Sequence, residues 1–85
     1  MTFALSPHVH AATTGDGMVL LDERANRYWL LNANGVLVLR ALLGGAGAEQ
    51  AARQLADAEP VAPDQATRDV TALITALSAA RLVAS

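Results

Sequence analysis

Hydrophobic residues in the first third of the chain form short runs that end at turn-forming residues. MVLLDE (residues 18–23) and RYWLLN (27–32) are apolar runs of strand length. A weaker run, HVHAATT (8–14), precedes them and ends at the turn signal Gly-Asp-Gly. Asn26 stands where a hairpin connection needs a residue that tolerates a left-handed backbone. We therefore predict three antiparallel strands in a meander, over about residues 8–14, 18–23 and 27–32.

The spacing of hydrophobic residues changes to a helical period after these strands. Asn32 or Asn34 provides the N-cap of a short apolar helix, and a Gly-Gly pair ends it. Pro63 suits the first turn of the last helix, whose core-facing positions recur at helical intervals. The predicted helices span about residues 34–43, 48–58 and 64–81. Three strands followed by three helices predict a single α+β domain over residues 1–85, similar to a winged helix-turn-helix.

The composition and charge of the chain narrow its possible functions. The net charge is −2 and all six basic residues are arginine, which gives no electrostatic surface for nucleic acid or an anionic membrane. The chain contains no cysteine, which excludes disulfides and favours a reducing compartment. The longest apolar runs are too short to span a bilayer, and no signal-peptide pattern is present. We expect a cytoplasmic domain that binds neither nucleic acid nor a membrane.

Residues that perform catalysis or bind metals are sparse and poorly placed. His8 and His10 would share one face of a strand, but zinc needs a third or fourth ligand and none is near in sequence. Asp22 and Glu23 are adjacent, so a strand directs them to opposite faces and they make a poor acid–base pair. The Gly-rich segments lack the Lys-Ser/Thr of a phosphate-binding loop. We expect no enzyme activity, no metal and no cofactor, which leaves a binding function.

A winged-helix DNA-binding regulator is the alternative that this order of elements allows. The last helix would then enter a groove of DNA, yet it offers only Arg68 and Arg81, thirteen positions apart. Its first turns, DQATRDVTA, carry two aspartates, which repel phosphates. The residues of this helix therefore give the DNA-binding alternative little support.

The strand over residues 27–32 is unusual because both of its faces are apolar. Alternation places Trp29 and Leu31 on one face and Tyr28 and Leu30 on the other. As the last strand of a meander it lies at a sheet edge, and unpaired edges are normally protected by charge or proline. A fully buried strand is one explanation of this pattern. A docking edge that accepts an extended peptide as a fourth strand is the other.

The last helix offers a second surface for a peptide. Beside its core stripe, one flank carries Asp69, Ala72, Ala76 and Ala80, and Leu73 lies at the edge of the stripe. Small side chains let another backbone come close and a carboxylate can anchor it, although an ordinary solvent-facing flank would look the same. The strand and this flank together predict a peptide-binding groove. Its predicted residues are Arg27, Tyr28, Trp29, Leu30, Leu31, Asp69, Ala72, Leu73 and Ala76.

The order and spacing of several motifs resemble those of a known family. GMVLLDERANRYWLLNANGVLVLRALLGG and the later DVTALITALSAARLV resemble the PqqD-like peptide-recognition domains of pathways that modify ribosomally made peptides. The resemblance is strongest to the stand-alone leader-binding proteins of lasso-peptide biosynthesis, and it covers about residues 4–83. The chain departs from the family at Asn26, where glycine is frequent, and at Leu30, where the family is often polar.

The resemblance implies both a function and a set of partners. The domain would bind a precursor's leader peptide as an added strand between the strand over 27–32 and the last helix, without catalysis. Its partners would be a separate leader peptidase of the cysteine-protease type and an ATP-dependent macrocyclase of the asparagine-synthetase type. By holding the leader as a peptide chaperone, the domain would raise the effective concentration of the core peptide at both enzymes.

Overall fold

A three-stranded antiparallel sheet forms one layer of the protein, whose computed structural model describes residues 3–84. The chain begins with a two-residue strand, β1 (Ala4–Leu5), and then forms β2 (Val9–Thr14), β3 (Gly17–Asp22) and β4 (Arg27–Leu31). The strand order is β2-β3-β4, so β4 lies at an edge, and no other strand of the described residues pairs with its free side. This sheet is the meander that the hydrophobic pattern predicts.

Two left-handed turns connect the strands of the meander. Gly15 (φ 61°) turns the chain between β2 and β3, and Asn26 (φ 53°) turns it before β4, as predicted. The side chain of Asp22 holds the second turn, since its Oδ1 accepts hydrogen bonds from the backbone N–H groups of Arg24 and Ala25, at 3.0 and 3.2 Å. This turn fixes the residue at which β4 begins.

Three helices follow the sheet: α1 (Ala33–Leu43), α2 (Ala48–Ala58) and α3 (Pro63–Ala79). Asn32, rather than Asn34, caps α1, because its Oδ1 accepts a hydrogen bond of 2.9 Å from the N–H of Gly35. Only this capping residue separates β4 from α1. The start of α1 is therefore held directly beside the end of the edge strand.

The predicted end of the last helix at Arg81 is wrong, because α3 ends at Ala79. Arg81 has a left-handed backbone (φ 60°), and its N–H donates to the carbonyl of Ser78 at 3.0 Å. The N–H of Leu82 donates to the carbonyl of Leu77 at 2.9 Å, which completes a Schellman ending with both leucines buried in the core. The hydrophobic pattern continues through this turn, so it did not reveal the break.

A short strand, β5 (Val83–Ala84), pairs antiparallel with β1 and forms a second sheet that the sequence did not predict. Strands of two residues show no alternation from which they could be recognised. Ser6 strengthens this connection, since its N–H donates to the carbonyl of Leu82 at 2.9 Å and its Oγ donates to the carbonyl of Arg81 at 3.0 Å. The end of α3 is therefore tied to the N-terminal segment.

The helices pack on one face of the three-stranded sheet and leave the other face open. Two buried clusters form the core, one between the sheet, α1 and the end of α3, and one among the helices. Leu73 packs against both clusters. The first cluster contains Val9, Met18, Leu20, Val36, Leu39, Leu77, Leu82 and Val83, and the second contains Val38, Leu42, Ala51, Ala52, Leu55, Ala66 and Val70.

The predicted α+β class, with three strands before three helices, is confirmed, and the winged helix-turn-helix is only a loose description of it. The predicted domain spans residues 1–85, of which Met1, Thr2 and Ser85 lie outside the described residues. None of the helices within residues 3–84 has the length and apolar character needed to cross a membrane.

Candidate functional site

The edge strand β4 presents a free side and two different faces. Trp29 and Leu31 are half-buried against the core, whereas Tyr28 and Leu30 are 68% and 70% exposed on the outer face of the sheet. Alternate residues of an edge strand direct their N–H and C=O groups away from the neighbouring strand. Within residues 3–84 these groups have no strand partner. The alternative of a fully buried strand is therefore wrong.

An open pocket of about 440 Å³ lies between the end of β4 and the middle of α3. Leu30 and Leu31 line it from the strand, and Asp69, Ala72 and Leu73 line it from the helix. Five of the nine predicted site residues therefore meet in one pocket. Its walls combine apolar and polar surface, and Asp69 is the one charged residue among the described residues that line it.

The pocket has a third wall that the sequence analysis missed. Asn32, Asn34 and Gly35 line it from the start of α1, and Val38 and Leu55 contribute apolar surface below them. The first turn of a helix carries N–H groups without intrahelical partners, so this wall offers hydrogen-bond donors beside an apolar floor. The Asn-Ala-Asn-Gly segment (residues 32–35) marks the start of a helix, and a helix start can bind a ligand as well as be capped. The sequence pattern predicts only the cap.

Asp69 is held by a neighbour on its own helix. Its Oδ1 accepts a hydrogen bond of 2.8 Å from Nε2 of Gln65, whose Oε1 in turn accepts one of 3.3 Å from Arg68. Asp69 is exposed, and no salt bridge to it forms within the described part of the chain. Its carboxylate therefore has remaining capacity to accept a hydrogen bond from a ligand.

A second pocket, of about 340 Å³, lies where the beginning of β4 meets the end of α3. Three arginines line it, Arg24, Arg27 and Arg81, together with His8 and the buried Asp22. We call the surface between the free side of β4 and the Asp69, Ala72, Ala76 and Ala80 flank of α3 the β4–α3 groove. The two pockets lie at its opposite ends.

The remaining predicted residues occupy different positions around this groove. Ala76 is exposed on α3, one turn beyond Ala72 on the same flank. Trp29 packs inward, and its indole Nε1 is buried without an acceptor among the described residues. Tyr28 lines neither pocket, and it is exposed on the outer face of the sheet, opposite Leu21 in the strand register. Ala76 therefore lies on the flank of α3 that borders the groove, and neither Ala76 nor Tyr28 lines a pocket at its ends.

The two histidines have separate partners. Nε2 of His8 lies 3.6 Å from Oδ1 of Asp22, and Nε2 of His10 lies 3.3 Å from Oε1 of Glu23. Across residues 3–84, no group of three or more His, Cys, Asp or Glu side chains is arranged to hold a metal ion. These contacts connect the start of β2 with the end of β3 and the turn after it.

Comparison with known proteins places this fold in a family. The family model described as coenzyme PQQ synthesis protein D (PqqD) matches residues 17–83, which is most of the chain. Among curated proteins, none matches the chain significantly.

Two solved structures resemble the chain over nearly its whole length. A lasso peptide synthetase B1 complexed with the leader peptide is 35% identical, with a TM-score of 0.90 and full coverage of both chains. TbiB1 in complex with the TbiA(beta) leader peptide is 25% identical, with a TM-score of 0.83 and coverage of 98% of this chain and 94% of that one. With the family match, these likenesses confirm the resemblance seen in the sequence, and the chain belongs to the PqqD family of peptide-recognition domains.

Proposed function

We propose that this domain binds the leader peptide of a ribosomally made precursor, without catalysis, by adding the leader as a strand to β4 beside α3. The observation that carries the proposal is the free side of β4, which faces a helix flank of small residues across the β4–α3 groove. The 35% identical lasso peptide synthetase B1, whose structure is a complex with the leader peptide, supports the same ligand class.

The groove suits an extended peptide because β4 can bind the peptide's main chain and the pocket at the end of β4 can bind one of its side chains. Backbone N–H and C=O groups on the free side of β4 provide main-chain hydrogen bonds, which hold any sequence in strand conformation. The pocket at the end of β4 provides selectivity, since Leu31 and Leu73 offer apolar contact and Asp69 offers a hydrogen-bond acceptor. Such a site needs no catalytic residue, which accounts for the sparse chemistry of the chain.

The proposed role includes delivery of the bound precursor to two enzymes of lasso-peptide maturation. One is a leader peptidase of the cysteine-protease type, and the other is an ATP-dependent macrocyclase of the asparagine-synthetase type. A precursor held by its leader presents the core peptide to both enzymes at a raised effective concentration. The support for this step is the family membership and the likeness to lasso peptide synthetase B1.

The proposal is tested by titrating the purified domain with a synthetic leader taken from the short precursor gene beside its own. We expect micromolar or tighter binding with a weak dependence on salt, because most contacts are main-chain and apolar. Duplex DNA is the competitor, and we expect it to leave leader binding unchanged. Salt-sensitive duplex binding without leader binding would instead favour the winged-helix regulator.

A further inference from the structure

We propose that the pocket at the beginning of β4 takes an aspartate or glutamate side chain of the bound peptide, and that this contact fixes the direction and register of the peptide in the groove. This inference rests on the proposed function and adds a specificity determinant to it. It arises from the placement of arginines in a chain that is acidic overall.

Half of the arginines of the chain converge on this one pocket. Arg24 comes from the β3–β4 turn, Arg27 from the first residue of β4, and Arg81 from the turn that ends α3. Within residues 3–84, none of these three forms a salt bridge, whereas Arg53 pairs with Glu49 at 3.6 Å. Three arginines that line one pocket and form no salt bridge within residues 3–84 provide a site for a ligand carboxylate.

The one carboxylate in the pocket is already engaged. Asp22 is 3% exposed, and its Oδ1 accepts the backbone N–H groups of Arg24 and Ala25 and lies 3.6 Å from Nε2 of His8. Glu23, next in sequence, contacts His10 instead. The charged residues that line the pocket are three arginines and one aspartate, so the net charge of the lining is positive and favours an anion.

The left-handed backbone of Arg81 gives independent support for a role of its side chain in this pocket. A left-handed backbone at a Schellman ending favours glycine, and a residue with a Cβ costs about 1 kcal/mol there. The hydrogen bonds of Arg81 N–H to Ser78 and of Ser6 Oγ to the Arg81 carbonyl hold the turn in this conformation. An arginine where glycine would be more stable is consistent with a function for its side chain.

The opposite ends of the groove carry opposite charge, and this sets a direction. Asp69 lies in the pocket at the end of β4, and the arginines lie at its beginning, roughly 13 Å away along five strand residues. Side chains four residues apart project from the same face of a strand. We therefore expect the acidic residue of the peptide about four positions from the residue that fills the first pocket.

Selection from a random peptide library displayed on phage tests this inference without knowledge of the natural leader. Wild-type protein should enrich peptides with an apolar residue and, about four positions away, aspartate or glutamate. The Arg27→Glu/Arg81→Glu protein should keep the apolar preference and exchange the acidic residue for lysine or arginine. The same apolar preference in both proteins without any charge preference would overturn the inference and leave the proposed function intact. If wild-type protein enriched no peptide, the proposed function would fall, and this inference with it.

A second measurement uses one selected acidic peptide and its amide counterpart, in which glutamine replaces the glutamate. For wild-type protein the amide should bind about tenfold more weakly. The Arg27→Gln protein, confirmed as folded by circular dichroism, should bind both peptides equally. Arg40→Gln is the matched control, since Arg40 is exposed at the end of α1 away from the groove, and it should retain the full difference. A tenfold difference that persists in Arg27→Gln, Arg24→Gln and Arg81→Gln would overturn the assignment.

Discussion

The sharpest prediction concerns Ala72, which lines the pocket at the end of β4 from the α3 side. Replacing it by leucine places a larger side chain in the space that we assign to an apolar residue of the leader. Burying one such residue is worth about 1.5–3 kcal/mol, so its exclusion should weaken leader binding by roughly tenfold to a hundredfold. The free energy of unfolding should change by no more than about 0.5 kcal/mol, since Ala72 is exposed and leucine is a good helix former.

The fluorescence of Trp29 provides the assay. It is the one tryptophan of the chain, and it packs on the inner face of β4, so addition of a strand to this edge should change its emission. Thr71→Leu is the matched control, because Thr71 is exposed on α3 and lines none of the described pockets. On a helical wheel it lies far from the groove flank, so leader affinity should stay at the wild-type value.

The two variants separate pocket filling from a general effect of leucine on α3. If Ala72→Leu and Thr71→Leu bind the leader equally well while both remain folded, no leader side chain occupies this pocket. Equal loss of affinity in both variants would point instead to a change in the helix itself.

Three further predictions concern the strand, the helix flank and one close backbone contact. Leu30→Pro removes a strand N–H and should abolish leader binding while circular dichroism shows a retained fold. Asp69→Ala should weaken leader binding by about 1–3 kcal/mol, whereas Arg53→Ala on α2 should not, as isothermal titration will show. Gly17→Ala should lower the free energy of unfolding by about 1–3 kcal/mol in urea denaturation, because a Cβ there would lie 2.7 Å from the Leu31 carbonyl oxygen.

The sheet and helices could be predicted from the sequence because each carries a clear period. Alternation in RYWLL separates the two faces of the strand, and the helical stripe that contains Val70 and Leu77 identifies the face of α3 that becomes buried. The turn at Asn26 was predictable because few residues tolerate its backbone conformation. The Arg81 turn was not predictable, since arginine gives no signal for a left-handed backbone.

The groove was predictable only in part, because a pocket depends on contacts between distant segments. Asp69, Ala72 and Leu73 share a flank that the helical period reveals. The convergence of Arg24 and Arg27 with Arg81 depends on how the end of α3 meets the beginning of β4, which no local pattern specifies. Alternation did separate Tyr28 from Trp29, but it did not show which of the two faces the helices would cover.

Amide hydrogen exchange along the two sheet edges tests the central claim most directly. β2 and β4 both lie at edges of the same sheet, so β2 is an internal control for β4. On addition of saturating leader, alternate amides of β4 should exchange at least about tenfold more slowly, because they donate to the added strand, while those of β2 should not change. Saturating leader binding with unchanged exchange throughout β4, or with new protection on β2 instead, would contradict strand addition to β4.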